Sequence, residues 1–172
     1  MSGKSNIVLT GFMASGKTEI SKAIAAMSRY KLIDTDDMIT EAAGMSINEI
    51  FAKYGEKKFR EIEHECICAA ARMSGMVIAT GGGAVLNKEN MKELRKKGKI
   101  FNLAPDFSVI EERLAAAAAS RPLLQNQDIE SVKKRFDDRL PYYADCDCKI
   151  HVISGRSPKS YAMEIISLME QD

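Results

Sequence analysis

Ile7-Val8-Leu9-Thr10-Gly11-Phe12-Met13-Ala14-Ser15-Gly16-Lys17-Thr18 joins a short apolar run to a segment of helical periodicity. Its portion Gly11–Thr18 fits G-x-x-x-x-G-K-[ST], with the strand before and the helix after that this motif requires. The glycines let the backbone wrap so that successive N–H groups and the helix N-terminus face an anion, and the segment reads as a phosphate cradle. In that reading Lys17 reaches the β- and γ-phosphates as a point charge and the Thr18 hydroxyl coordinates Mg²⁺.

Working outward, a helix is expected from about Lys17 to Ser28, with Ile20, Ala23, Ile24 and Met27 along one face. Lys31-Leu32-Ile33 reads as a second strand ending at Asp34-Thr35-Asp36-Asp37, where acidic residues supply N-cap chemistry. Ser46 and Glu49 form a capping-box pattern ahead of a longer helix from about Glu56 to Met73. Met76–Thr80 reads as a third strand, stopped by Gly81-Gly82-Gly83. A helix from about Asn87 to Lys97, closed by Gly98, precedes the strand Ile100–Leu103. Pro105-Asp106 opens a helix into the run Ala115–Ala119, another helix spans about Ile129 to Leu140 and stops at Pro141, and the strand Ile150–Ile153 leads to a terminal helix started by Ser157-Pro158.

Short apolar strands interleaved with helices imply a three-layer α/β domain with a mainly parallel sheet. Ligands in such sheets bind beyond the carboxyl ends of the strands, which selects Gly11–Thr18, Asp34–Asp37, Gly81–Gly83 and the segment after Leu103. The 172 residues, with net charge +1, 28% charged and 45% hydrophobic, have an ordinary globular composition for one domain. That balance argues against a broad nucleic-acid or membrane-binding face. No apolar run approaches a membrane span and Met1–Asn6 lacks the apolar core of a secretory signal, so a cytoplasmic protein is expected. Cys66/Cys68 and Cys146/Cys148 are read as reduced thiols: residues two apart on a helix face different ways, and Cys-x-Cys is not the usual zinc spacing.

A phosphate cradle establishes a nucleotide, not a reaction. Asn87-Lys88-Glu89-Asn90 lacks the final Asp that would read guanine and reads as a helix cap, so ATP is favoured over GTP. No Asp follows the strand ending at Thr80, which leaves Asp34 and Asp36 to support the metal. These two are read as alternating along an extended segment, one organising Mg²⁺ and its waters while the other accepts a proton from a substrate hydroxyl. Glu56, Arg60, Glu63 and His64 share one side of a helix, which reads alone as an exposed ion-pair ladder with His64 in it. Arg60 becomes informative together with Arg139, as two guanidinium forks able to fix a carboxylate.

Taken in order, Gly11–Thr18, Asp34-Thr35-Asp36, Phe59-Arg60-Glu61-Ile62-Glu63, Gly81-Gly82-Gly83, Arg121-Pro122-Leu123-Leu124 and Arg139-x-Pro-x-Tyr give the sequence a resemblance to the shikimate kinases over nearly the whole chain. The resemblance implies a P-loop kinase fold with a five-stranded parallel sheet in the order 2-3-1-4-5 and a mobile lid at about 116–128. It implies Mg-ATP-dependent phosphorylation of a ring hydroxyl of shikimate, giving shikimate 3-phosphate and ADP in the chorismate and aromatic amino acid pathway. Asp36 would hold the shikimate hydroxyls and act as base, Asp34 would support Mg²⁺ beside Thr18, and Arg60 and Arg139 would grip the carboxylate. Gly81 and Gly82 would line the acceptor, with the Gly82 backbone approaching the ring. Ala14, Ser15, Gly16, Lys17, Thr18 and Glu19 would hold the nucleotide, Arg113 and Arg156 would flank its adenine, and Arg121 would close over the transferring phosphate. Lys17, Asp36 and Arg121 form the expected catalytic set. The chain departs from the family pattern at Ala14, usually glycine, at Glu19, usually a hydroxyl residue, and in an alanine-rich lid entry.

A small P-loop kinase for nucleoside monophosphates or gluconate is the nearest alternative, and a nucleotide-binding regulator without chemistry is another. The former is separated by a panel of acceptors and the latter by ATP binding without acceptor-stimulated ADP release. A monomer without nucleic-acid or membrane partners is expected.

Overall fold

A computed structural model describes residues 5–120 and 128–171. Its strands are β1 (Asn6–Thr10), β2 (Lys31–Asp34), β3 (Met76–Ala79), β4 (Gly98–Pro105) and β5 (Cys148–Val152). They form one parallel sheet in the order β2-β3-β1-β4-β5, the order the resemblance implied. The α-helices among the described residues are α1 (Lys17–Met27), α2 (Thr35–Ala43), α3 (Ile47–Arg72), α4 (Lys88–Lys97), α5 (Phe107–Ser120), α6 (Ile129–Tyr143) and α7 (Pro158–Glu170), with a short 3-10 turn at Ala84–Leu86.

Side chains alternate across each strand and so divide between two cores. Val8, Ile78 and Ile100 point to the face covered by Ile67 of α3, Leu94 of α4 and Phe136 of α6. Ile7, Leu9, Val77 and Phe101 point to the other, covered by Ile20 and Ile24 of α1 and Tyr161 and Ile165 of α7. Every residue of β1 is buried, which places the loop after it at the centre of the sheet's carboxyl edge.

Three local departures from the sequence reading bear on the site. α3 carries a break at Gly55 (φ 79°), a left-handed conformation that glycine adopts without strain, and the capping box of Ser46 and Glu49 starts its first piece. Gly98 ends α4 in extended geometry rather than as a left-handed cap; a Cβ there would lie 2.6 Å from Val8 Cγ2, so packing against β1 requires the glycine. α6 does not stop at Leu140: Pro141 lies inside it and the helix continues to Tyr143. A proline in the last turn forfeits one N–H bond while the Ala144 N–H still reaches the Leu140 carbonyl at 3.2 Å. All four cysteines are free thiols, Cys66 and Cys68 within α3.

Candidate active site

Gly16 (φ 100°) caps α1 with no side-chain hydrogen bond, so the first N–H groups of the helix stay open to a ligand. Gly11 leaves room that a Cβ would take from Ser15 Oγ, 2.7 Å away, and from the Leu103 carbonyl, 2.8 Å away. The Lys17 ammonium folds back over the loop and donates to the carbonyls of Gly11 (2.6 Å) and Phe12 (2.9 Å). Desolvation lowers its pKa to about 8, against the pull of the Asp36 and Asp34 carboxylates. Thr18 and Glu19 are exposed, and Glu19 pairs with Lys22 at 3.3 Å.

Ala14 has φ 58°, the one positive value at a non-glycine position among the described residues. The left-handed region costs an L-residue roughly 1–2 kcal/mol, partly offset by the greater unfolded-state entropy of glycine. Ala14→Gly is therefore expected to stabilise the protein by about 0.5–1 kcal/mol. Urea unfolding of the pair checks this, and a less stable variant contradicts it.

A cleft of about 430 Å³ runs from this loop to Arg113, Arg156, Pro158 and Tyr161. Arg113 donates to the Ala14 carbonyl at 2.7 Å, and Arg156 lies 4.2 Å over the Tyr161 ring while bonded to Glu164 at 2.6 Å. Both expected adenine neighbours therefore border one cavity with Ala14, Ser15, Gly16, Lys17 and Thr18. Arg121 lies outside the described residues, as do residues 122–127 of the expected lid, whereas residues 116–120 belong to α5.

On the acceptor side the structure corrects the reading of the acidic pair. Asp34 ends β2 and caps α2, accepting from the Asp36 N–H at 2.9 Å, while Asp36 sits in the first turn of α2. The strand-to-helix turn, not alternation along an extended segment, sets their carboxylates apart. Burial raises the Asp36 pKa to about 6, with further upward pushes from Asp34 and Glu63.

The ion-pair ladder of α3 is likewise not a surface feature. Glu63 is fully buried and accepts from Arg60 Nη1 at 2.8 Å, while the exposed Glu56 accepts from Arg60 Nη2 at 3.3 Å. Burial raises the Glu63 pKa against the opposing Arg60 and Arg139 charges, so one buried carboxylate feels both guanidinium groups while bonding Arg60 directly. The Arg139 guanidinium lies 5.9 Å over the Phe12 ring of the phosphate loop. His64 is half-buried, with Nδ1 2.6 Å from Asn90 Oδ1, and is no part of an exposed face.

Each glycine after β3 makes space for something different. A Cβ on Gly81 would lie 2.8 Å from Asp36 Oδ1, and one on Gly83 would lie 2.7 Å from both terminal nitrogens of Arg60. One on Gly82 would meet no atom closer than 3.6 Å. Gly81 therefore admits the Asp36 carboxylate and Gly83 the Arg60 guanidinium, whereas at Gly82 a Cβ would touch the phosphate loop and the Tyr143 hydroxyl at ordinary contact distance. The roles of Gly83, Glu63 and Tyr143, whose hydroxyl bonds the Gly82 carbonyl at 2.6 Å, were not read from sequence. The motif Arg139-x-Pro-x-Tyr carries a signal for the last, since helical spacing puts Tyr143 one turn after Arg139 once the helix runs through Pro141.

The segment after Leu103 lines a different cavity, of about 530 Å³, walled by Phe12, Phe107, Phe136, Leu140 and Tyr143. It is larger than the cleft at the phosphate loop but holds neither Lys17 nor Asp36.

The family model for shikimate kinase matches residues 13–170. A shikimate kinase of Thermodesulfovibrio yellowstonii is 44% identical over 167 residues, covering 96% of this chain and 95% of that protein. One of Geobacter sulfurreducens is 41% identical over 96% of this chain and 91% of its own length. The structure of Acinetobacter baumannii shikimate kinase in complex with shikimate superposes with a TM-score of 0.86 at 28% identity, covering 99% of this chain and 95% of that one. Bacteroides thetaiotaomicron shikimate kinase gives 0.87 at 30% identity, covering 96% and 98%. A gluconokinase of Sinorhizobium meliloti, at 15% identity and a TM-score of 0.63, shares the fold alone, with 99% of this chain and 94% of that one covered. Site geometry, family model and near-full-length relatives agree: the chain belongs to the shikimate kinase family, an enzyme that phosphorylates shikimate with ATP.

Proposed function

We propose that the transfer is Mg²⁺-dependent, yields shikimate 3-phosphate, and divides its work between the two sides of the phosphate loop. The observation that carries this is the placement of Lys17, folded over the phosphate loop and lining the nucleotide cleft, and of Asp36, set against Gly81 on the acceptor side, each acting on the other's proton affinity. Lys17 and the open N–H groups of α1 take the phosphates, with Arg113 and Arg156 beside the base. Asp36 orients the acceptor hydroxyl and takes its proton, while Arg60 and Arg139 bind the carboxylate and Gly82 lies against the ring. Arg121 is assigned the cation over the transferring phosphate, and 116–128 the lid, on the family resemblance.

Mg²⁺ fits the donors present. The Thr18 side chain is exposed at the start of α1, and Asp34 commits one oxygen to its cap, leaving the other for a metal-bound water. Among the described residues no group of three or more His, Cys, Asp or Glu could hold a cation. When bound it neutralises phosphate charge. We assign the chain a single catalytic domain acting as a monomer in the cytoplasm, without nucleic-acid or membrane partners; among the described residues no helix is long and apolar enough to cross a membrane.

The Lys17–Asp36 pair gives a pH signature. Asp36 works as the carboxylate, so kcat/KM for shikimate at low ATP should rise as pH passes about 6. Lys17 works as the ammonium, so kcat/KM for ATP should fall above about 8. Profiles flat through both regions contradict this division of roles.

A further inference from the structure

Three adjacent glycines make a poor positioning device unless something outside the loop fixes them, because each has access to backbone conformations closed to other residues. Here the loop must hold still: Gly81 borders the Asp36 carboxylate and Gly83 borders the Arg60 guanidinium. The short 3-10 turn that follows, Ala84–Leu86, donates to the Gly81 carbonyl from Ala84 N–H and to the Gly83 carbonyl from Leu86 N–H, each at 3.1 Å, and two side-chain hydrogen bonds reach the loop from α2 and α6. Thr35 Oγ1, in the first turn of α2, accepts from the Gly81 N–H at 3.1 Å. Tyr143, in the last turn of α6 and 4% exposed, donates its hydroxyl to the Gly82 carbonyl at 2.6 Å.

The second bond constrains more than one atom. A peptide unit is planar, so anchoring the Gly82 carbonyl fixes the orientation of the whole Gly82–Gly83 peptide and the direction in which the Gly83 N–H points. It also ties the loop to the helix that carries Arg139, one turn before Tyr143. Burial pushes the Tyr143 hydroxyl up to about 12, so it remains a protonated donor throughout the working range, and Arg139 acts on the same oxygen. The last turn of α6 exists because Pro141 is tolerated there.

We propose that Tyr143 is the positioning residue of the acceptor site, its hydroxyl locking the Gly81–Gly83 loop against α6 so that Asp36, Arg60 and Arg139 meet one substrate in fixed register. This rests on the acceptor site assigned above. Tyr143 touches no reacting atom in this role, and its effect is on how the shikimate side is assembled, leaving the nucleotide cleft alone.

The test is Tyr143→Phe, which keeps the ring in the core it shares with Phe12 and Phe136 and removes one oxygen. The bond is internal to the protein, so its loss acts on shikimate by lowering the share of molecules whose loop is in the binding arrangement, on a scale of about tenfold. The expected result is a KM for shikimate raised about tenfold, with the KM for ATP within about twofold and kcat lowered by less than about threefold. Amide exchange in the ligand-free protein supplies a readout independent of turnover: exchange at residues 81–83 should accelerate in the variant, with residues 13–18 unchanged. An unchanged KM for shikimate, equal rises in both KM values, or unaltered exchange at the glycines overturns the proposal. Should the wild-type enzyme itself show no shikimate-stimulated ADP release, the acceptor-site reading fails first, whatever the variant does.

Discussion

Asp36→Asn is expected to lower kcat by at least about 10²-fold while ATP affinity changes by less than about threefold, the range associated with loss of a positioned acid–base group. The asparagine amide keeps the size of the side chain and can still touch a hydroxyl, but it cannot accept the proton. Stability provides an internal control whose sign follows from the raised pKa. A carboxylic acid whose folded-state pKa is about 6 is bound more tightly by its proton in the folded chain than in the unfolded one. Its ionisation therefore costs folding free energy, a cost absent below about pH 4 and fully present above about pH 6. At pH 7.5 Asp36→Asn removes that cost, so the variant should unfold at a temperature no lower than the wild type. Thermal unfolding beside steady-state kinetics separates the outcomes: lost turnover in an equally stable protein supports the assignment, and retained turnover rejects it.

Arg139→Ala is expected to raise the KM for shikimate by about 10²-fold, with the KM for ATP changed by less than about threefold. A charge-assisted bidentate contact is worth about 1.5–3 kcal/mol, and truncating one partner leaves the substrate carboxylate facing Glu63 without one of its two neutralising cations. A second effect tests the same placement from the other side. Arg139 lowers the proton affinity of Lys17, so its removal should move the alkaline limb of the ATP profile upward. Equal losses for both substrates, or an alkaline limb that stays in place, would count against a guanidinium standing between acceptor and nucleotide.

Much of this architecture was legible in the order of residues. Five apolar runs separated by helical patterns specified a parallel three-layer sheet, and the motif Gly11–Thr18 located the phosphates on it. Strand order was a different matter, since period-two and period-3.6 patterns say which face is buried but not which strand lies beside which; it came from family resemblance. Within the site, the backbone-built part was the readable part. The misread features all depend on tertiary contact. Glu63 has the spacing of a surface ion pair and is buried because α3 packs that side against the glycine loop. Asp36 follows a strand but belongs to a helix, because Asp34 caps that helix at once. Tyr143 closes the motif Arg139-x-Pro-x-Tyr, but the proline that ordinarily ends a helix hides that it shares a helix with Arg139.

The most direct measurement is ADP release from Mg-ATP by the purified protein, with shikimate, AMP or gluconate as the acceptor. Stimulation by shikimate alone, abolished when Mg²⁺ is chelated, is the predicted result. Stimulation by AMP or gluconate in place of shikimate, or by none of the three while ATP still binds, would contradict the assigned acceptor site.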